Sequence, residues 1–297
     1  MTVSAATSLA VAEPTPGSVL PPHPGSLPVG ADRQAAISQW LTQGFDPHTQ
    51  PDGQRLEPGQ AFDAADQSPW ALVLLEGTSA HLGEALAAGA ELGRPVGIGA
   101  GGWVHPTLAI LSGPLEEAGL KLRQLKAAAA GPITLTGRWP SGVRRGDALI
   151  HLLVTASFSD QVDLKPALAE KYIVDLIEDI MGTRPDIALM RDRGGAIPLH
   201  RALAMGRYEV AQRLLQVAPR AQAAAKDHQG NGAFHALVQG GWNPAFQGVA
   251  RTLGSHGASW HLANARGVSA LDEALNHVED NNEAVMWRNL AQRTSPA

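Results

Sequence analysis

Residues 192–218 read DRGGAIPLHRALAMGRYEVAQRLLQVA, from Asp192 to Ala218. Gly194 and Gly195 permit a turn with positive φ. Pro198 marks a place where a helix can begin, because the first helical position needs no N–H. Leu199, Ala202 and Leu203 then form one apolar stripe, and Val210, Leu214 and Leu215 form another after Gly206. The pattern predicts two short amphipathic helices joined at a glycine. Helices of about two to three turns are marginal alone, so the pair must bury its faces against further copies of itself.

Diverged copies occur on both sides. Gly230-Asn231-Gly232-Ala233-Phe234-His235-Ala236-Leu237-Val238 follows in the same register, and Gly146-Asp147-Ala148-Leu149-Ile150-His151-Leu152-Leu153-Val154 aligns with it upstream. Gly267-Val268-Ser269-Ala270-Leu271-Asp272-Glu273-Ala274 is a third relative, with Asp272 where the others have histidine. His200 to His235 spans 35 residues and His235 to Asp272 spans 37.

Ile197-Pro198-Leu199-His200-Arg201-Ala202 is one residue off the T-P-L-H-x-A signature, and Gly206, Glu209, Val210, Leu214 and Leu215 continue the match. The stretch therefore resembles an ankyrin repeat, a unit of about 33 residues made of a turn and two helices. The resemblance implies an all-α solenoid of ankyrin-type helix-turn-helix repeats with irregular inserted loops. It extends over residues 32–293 as about six units and is clearest over 192–291.

The earlier units are read in the same way. Ala36, Ile37, Trp40 and Leu41 make a helix face that Gly44-Phe45-Asp46-Pro47 stops. Ser68-Pro69 takes the T-P position of the next unit, with Gly77 in its inter-helix turn and Leu86, Gly89 and Ala90 at its end. A unit follows from His105 to Ala129 with its register open. Gly131–Arg145 and Ala156–Pro166 exceed the usual loop lengths, and Pro132-Ile133-Thr134-Leu135-Thr136 within the first could be extended. A helix from Ala167 to Met181 is expected to bury Tyr172, Ile173, Leu176, Ile177 and Ile180. It should turn Glu170, Asp175, Glu178 and Asp179 toward solvent. Residues 1–31, rich in Ser and Pro, read as a disordered leader.

Composition narrows the function. Apolar residues make up 44% and charged residues 17% of the 297, with net charge -5 and no cysteine. This excludes disulfides, a thiol nucleophile and a cysteine metal site, and nothing basic points to nucleic acid. No apolar run approaches the roughly 18 residues of a membrane span. The first 32 residues hold no Lys or Arg, unlike an ordinary secretory signal. The abundance of Arg, Ala and Gly fits a bacterial protein. A cytoplasmic location is expected, with secretion into a host cell as the alternative.

No catalytic motif is found and no cofactor is expected. Gly97-Ile98-Gly99-Ala100-Gly101-Gly102 fits G-x-G-x-x-G, but its flanks lack the strand and opening helix of a dinucleotide site, and it reads as a repeat tip. His151, His200 and His235 recur one repeat apart, too far to converge on a metal, and read as ties within their turns. His256 and His261 form a second pair without supporting ligands.

The resemblance implies a surface that binds a partner protein, built from turn tips and first-helix faces on the concave side. Its candidate residues are Arg193 and Met205 in one repeat, and His228, Gln229 and Gln239 in the next. Trp242 on a lengthened inter-helix turn, and Arg266 and His277 in the last repeat, complete the set. Three other readings remain at this level. The array could serve a secreted bacterial effector, or act as a structural or immunity-type partner of a neighbouring gene product. It could also be an enzyme with an active site on the inserted loops, near Asp147, His151, Ser157 and Asp160.

Overall fold

A computed structural model describes residues 21–55, 65–98, 102–112, 115–129, 146–156, 166–182, 184–241, 243–278 and 280–294. The chain forms two compact units, one of Met1–Gly113 with Leu120–Pro132, the other of Pro114–Gly119 with Ile133–Ala297.

In the first unit, α1 (Ala31–Thr42) buries the expected Ala36, Ile37, Trp40 and Leu41 and ends before Gly44, whose φ is 78°. The pair α2 (Pro69–Leu75) and α3 (Ser79–Ala87) follows, and α2 begins where the sequence places it: Pro69 is the first helical residue and the Ser68 hydroxyl accepts from Ala71 N. Gly77 is required in the turn between them, because a Cβ there would lie 2.7 Å from Val73 Cα. The glycine motif is flanked by two antiparallel strands, β1 (Val96–Gly97) and β2 (Trp103–Val104), with Gly99, Ala100 and Gly101 outside the described residues. A strand does precede it, contrary to the sequence reading, but the chain returns as a second strand. The next helix, α4 (Pro106–Ala109), begins only beyond β2 and is capped by His105. Of α5 (Leu115–Ala128), which comes next, the part from Leu120 onward belongs to this unit.

Within this unit Lys121 is buried, and its Nζ donates to Val73 O and Leu74 O, each at 3.0 Å. A cation thereby closes carbonyls that the last turn of α2 leaves open. Lys121→Met keeps the length of the side chain and removes these bonds, at an expected cost of about 2 kcal/mol. This would be read as a lowered urea midpoint with unchanged slope; an unchanged midpoint would show that the contact contributes nothing.

Residues 1–20 of the expected leader lie outside the described residues; of 21–30, Pro21 and Pro24 are buried, while Pro28, Val29 and Gly30 are exposed. Pro24 is buried, His23 Nε2 bonds Thr49 O at 2.8 Å, and the His23 ring meets Trp40 edge-on at 4.8 Å. Within the proline-rich stretch, proline suits the short 3-10 turn Pro24–Ser26.

The second unit stacks helix pairs: α6 (Leu149–Thr155) with α7 (Pro166–Met181), and α9 (Pro198–Ala204) with α10 (Tyr208–Leu215). Then come α12 (Ala233–Gln239) with α13 (Gln247–Ser255), and α14 (Ala270–Asn276) with α15 (Asn281–Thr294). First helices pack in the order α6, α9, α12, α14, and α7, α10, α13, α15 form a second row. The loops at Gly131–Arg145 and over residues 157–165, with the extended segment placed in the former, lie outside the described residues.

The sequence reading lacks two short helices, α8 (Pro185–Ala188) and α11 (Pro219–Ala224), each opening on a proline ahead of a turn tip. In α7, Ile173, Leu176 and Ile177 are buried as expected, whereas Tyr172 is half-buried and Ile180 lies beyond what is described. Glu178 and Asp179 are exposed. Glu170 is not simply solvated: its Oε1 accepts from Glu209 N at 2.7 Å and Val210 N at 3.3 Å, capping the neighbouring α10. The far end is closed by aromatics. Trp260 stacks on Phe234 at 4.1 Å and donates from Nε1 to Thr294 Oγ1 at 2.8 Å, while Trp287 stacks on Phe246.

Candidate interaction surface

The surface is built on three turn tips of the second unit with one hydrogen-bond plan. Asp192, Asp227 and Asn264 each open a tip, and each donates its backbone N–H to the residue four positions on: Ala196 O, Asn231 O and Val268 O. Their side-chain oxygens accept back from the N–H of those same residues, at 2.9, 2.8 and 3.2 Å. The fourth residue of each tip, Gly195, Gly230 or Gly267, has φ between 76° and 79°, where a side chain is strained. Adjacent tips are joined through the backbone, His228 N to Gly194 O and Ala265 N to Gln229 O, both at 2.8 Å.

Below each tip the recurring histidine ties its own helix start. His151, His200 and His235 accept at Nδ1 from the backbone N–H three residues earlier, at Ala148, Ile197 and Gly232. The Nε2 of His151 meets Ala196 O and that of His235 meets Val268 O, so each ring also bridges to the next tip. Asp272 makes the same tie through Ser269. The repeated histidine is therefore a structural tie in all three units and a bridge between tips at His151 and His235, whereas the His200 Nε2 is buried without such a bond. Burial, the dominant cause, pushes His200 down to about 4.

A groove of about 410 Å3 opens between the tip and first helix of one repeat and those of the next. It brings together three of the expected residues, His228, Gln229 and Gln239, with Arg201, Asp227 and Asn231 beside them and Ala204 and Ala236 as an apolar floor. Arg193, Arg266 and His277 are exposed outside the groove, and Met205, 47% exposed, follows Ala204 at its rim. Trp242 lies outside the described residues.

Arg201 and Asp192 are the polar pair that sequence reasoning missed. Arg201 bonds Asp192 Oδ2 at 2.6 Å and reaches Asp147 Oδ1 at 3.6 Å, linking two tips. Burial of Asp192 opposes its ionisation, but the bonds from Arg201 and Ala196 outweigh it and hold the carboxyl below the usual range. The sequence signal was available: an Asp or Asn stands three residues before each tip glycine.

Asp147 and His151, the described half of the polar cluster weighed as an active site, are thus committed to Arg201 and to the backbone. Ser157 and Asp160 lie outside the described residues. No described helix is long and apolar enough to cross a membrane.

No family model and no curated relative matches this sequence. Among solved structures, the chain is similar to the crystal structure of the ankyrin repeat domain of Bcl-3, described as a unique member of the IkappaB protein family. The likeness covers 86% of this chain and 93% of that one, with a TM-score of 0.51 at 19% sequence identity. At this identity the likeness speaks to architecture alone. It agrees with the helix pairs, glycine turns and tip bonds described above: the chain has the ankyrin-repeat fold.

Proposed function

We propose that this chain is a non-catalytic interaction module that binds a partner protein along its turn tips and first-helix faces. The observation that carries this reading is the groove in which His228, Gln229 and Gln239 converge over an alanine floor. Stacked repeats present such a surface as a fixed platform, so ordering costs on binding are small. The groove offers side-chain amides, an imidazole and a guanidinium around small apolar residues, which is the chemistry of a protein interface rather than of a catalytic centre.

The test fills the groove without changing charge. Gln229→Trp with Gln239→Trp should fold as the native chain does and lose the partners that native chain retains in a quantitative affinity capture. A Gln212→Trp variant, on the exposed side of α10, should keep them. Identical partner sets for all three proteins would move the binding surface away from the groove.

A further inference from the structure

The charges around the groove are sorted by depth. On the described tips the carboxylates are turned inward: Asp192 is buried and bound by Arg201, and the oxygens of Asp227 accept from Gln229 N, Asn231 N and Asn231 Nδ2. The charged side chains turned outward on these tips are basic. Arg193, Lys226 and Arg266 are exposed, with the His228 imidazole between them. The backbone bonds between neighbouring tips set Arg193, His228 and Arg266 in sequence along one edge. This edge is cationic in a chain whose net charge is -5. The remaining acids nearby sit on α14, where Asp272 is bonded to Ser269 and Glu273 is half-buried.

From this arrangement we infer that the partner segment is an acidic, extended peptide: its carboxylates lie along the tip edge while an apolar side chain enters the groove over Ala204 and Ala236. The inference rests on the interaction reading above and names the chemistry of its partner. Fixed tip carboxylates, already saturated by the scaffold's own donors, do not compete for the arginines. The acids on α14 direct the peptide toward the repeats at 192–239 and away from the terminal helix pair. Exposed charge of one sign speeds encounter with the opposite sign and selects against basic partners, and its effect weakens with salt. Met205, beside the groove and 47% exposed, supplies an adaptable contact for the apolar residue.

Panning a short random-peptide display library on the full chain tests this. Enriched peptides should be richer in Asp and Glu than the starting library and should carry an apolar residue. Labelled with fluorescein and followed by anisotropy, they should bind at least about tenfold more weakly to an Arg193→Glu, Lys226→Glu, Arg266→Glu variant, with recovery when the peptide acids are exchanged for lysine. An Arg251→Glu control, exposed on α13, should bind as the native chain does.

Absence of any enriched peptide, peptides without acidic bias, or unchanged binding to the triple variant would overturn the inference. If non-acidic peptides bind and the two tryptophans in the groove abolish that binding, the groove reading stands and only the acidic partner is wrong. Insensitivity to both variants would remove both. If oligothymidylate binds through the same three basic residues while acidic peptides do not, the occupant is a nucleic acid and the inference fails.

Discussion

Gly254→Ala is expected to destabilise the protein by about 3 kcal/mol, although it exchanges the second-poorest helix former for the best one within a helix. A Cβ on Gly254 would stand 1.7 Å from Thr294 O and 2.8 Å from Thr294 C, both backbone atoms of α15. No rotamer change relieves such a contact, so α15 must withdraw from α13. Withdrawal breaks the Trp260 Nε1 bond to Thr294 and loosens Trp287 from Phe246. Because each repeat holds only its neighbours, the loss should be local: α15 should become open to protease and to hydrogen exchange while α9 and α10 keep their protection.

A companion substitution on the same helix gives the comparison. Gly248→Ala would meet only Gln212 Nε2 at 3.0 Å, the far end of a flexible side chain that can swing away. Its helix-propensity gain should then appear as a stabilisation of up to about 1 kcal/mol. Equal effects of the two alanines in thermal melts would show that α15 does not rest on Gly254.

Acid should weaken the fold well before its carboxylates titrate. Burial holds His200 and His48 neutral, each pushed from 6.5 to about 4, with Arg94 adding to the effect at His48. Between those two values the unfolded chain binds protons that the native chain refuses. Stability is therefore complete above about 6.5 and falls as pH drops toward 4. For His200, which is 5% exposed, the loss is on the order of 3 kcal/mol. His48 accepts from Glu91 N at Nε2, and charging that nitrogen would also break the bond.

The depressed Asp192 carboxyl acts in the same direction at lower pH, its contribution being lost below the ordinary value of 3.8. Urea midpoints measured through this range should decline, and His200→Gln, which can still accept at the helix start, should flatten the slope by one proton. A midpoint that holds constant from 6.5 down to 4 would refute the assignment.

How much of this could be read from residues alone follows from the range of the forces involved. Local rules placed the helix starts at Ser68-Pro69 and Pro198, because capping depends on neighbours in sequence, and the resemblance placed the turns at Gly77, which the Val73 backbone crowds, and Gly206, whose φ is 67°. The repeat period identified the histidines as structural, since three equivalent rings one unit apart cannot converge.

What escaped the sequence depends on partners far along the chain. Lys121 reads as one more polar residue of an amphipathic helix, and only the fold brings it under Val73 and Leu74. Glu170 caps a helix about forty residues away, and Gly254 has no motif around it because its constraint comes from Thr294. The proline-rich stretch before Ala31 shows the opposite limit: composition describes a segment by itself and carries no sign that His23 meets Thr49 and Trp40. Of the candidate binding residues, those on tips and first helices could be named from the repeat register, but that His228, Gln229 and Gln239 share one groove is a property of stacking.

The bonds between neighbouring tips separate two kinds of information. His228 and Gln229 join the scaffold through backbone atoms, His228 N to Gly194 O and Gln229 O to Ala265 N. Glycines and the Asp or Asn residues carry the turn itself. Of the outward side chains, Gln229 accepts from Asn231 Nδ2 at 3.3 Å and the His228 ring lies against Gly195. Arg193, Ala265 and Arg266, by contrast, are exposed on a frame whose turn bonds run through other residues, so these positions can be rewritten one by one to acquire a new specificity while the architecture beneath them is inherited unchanged.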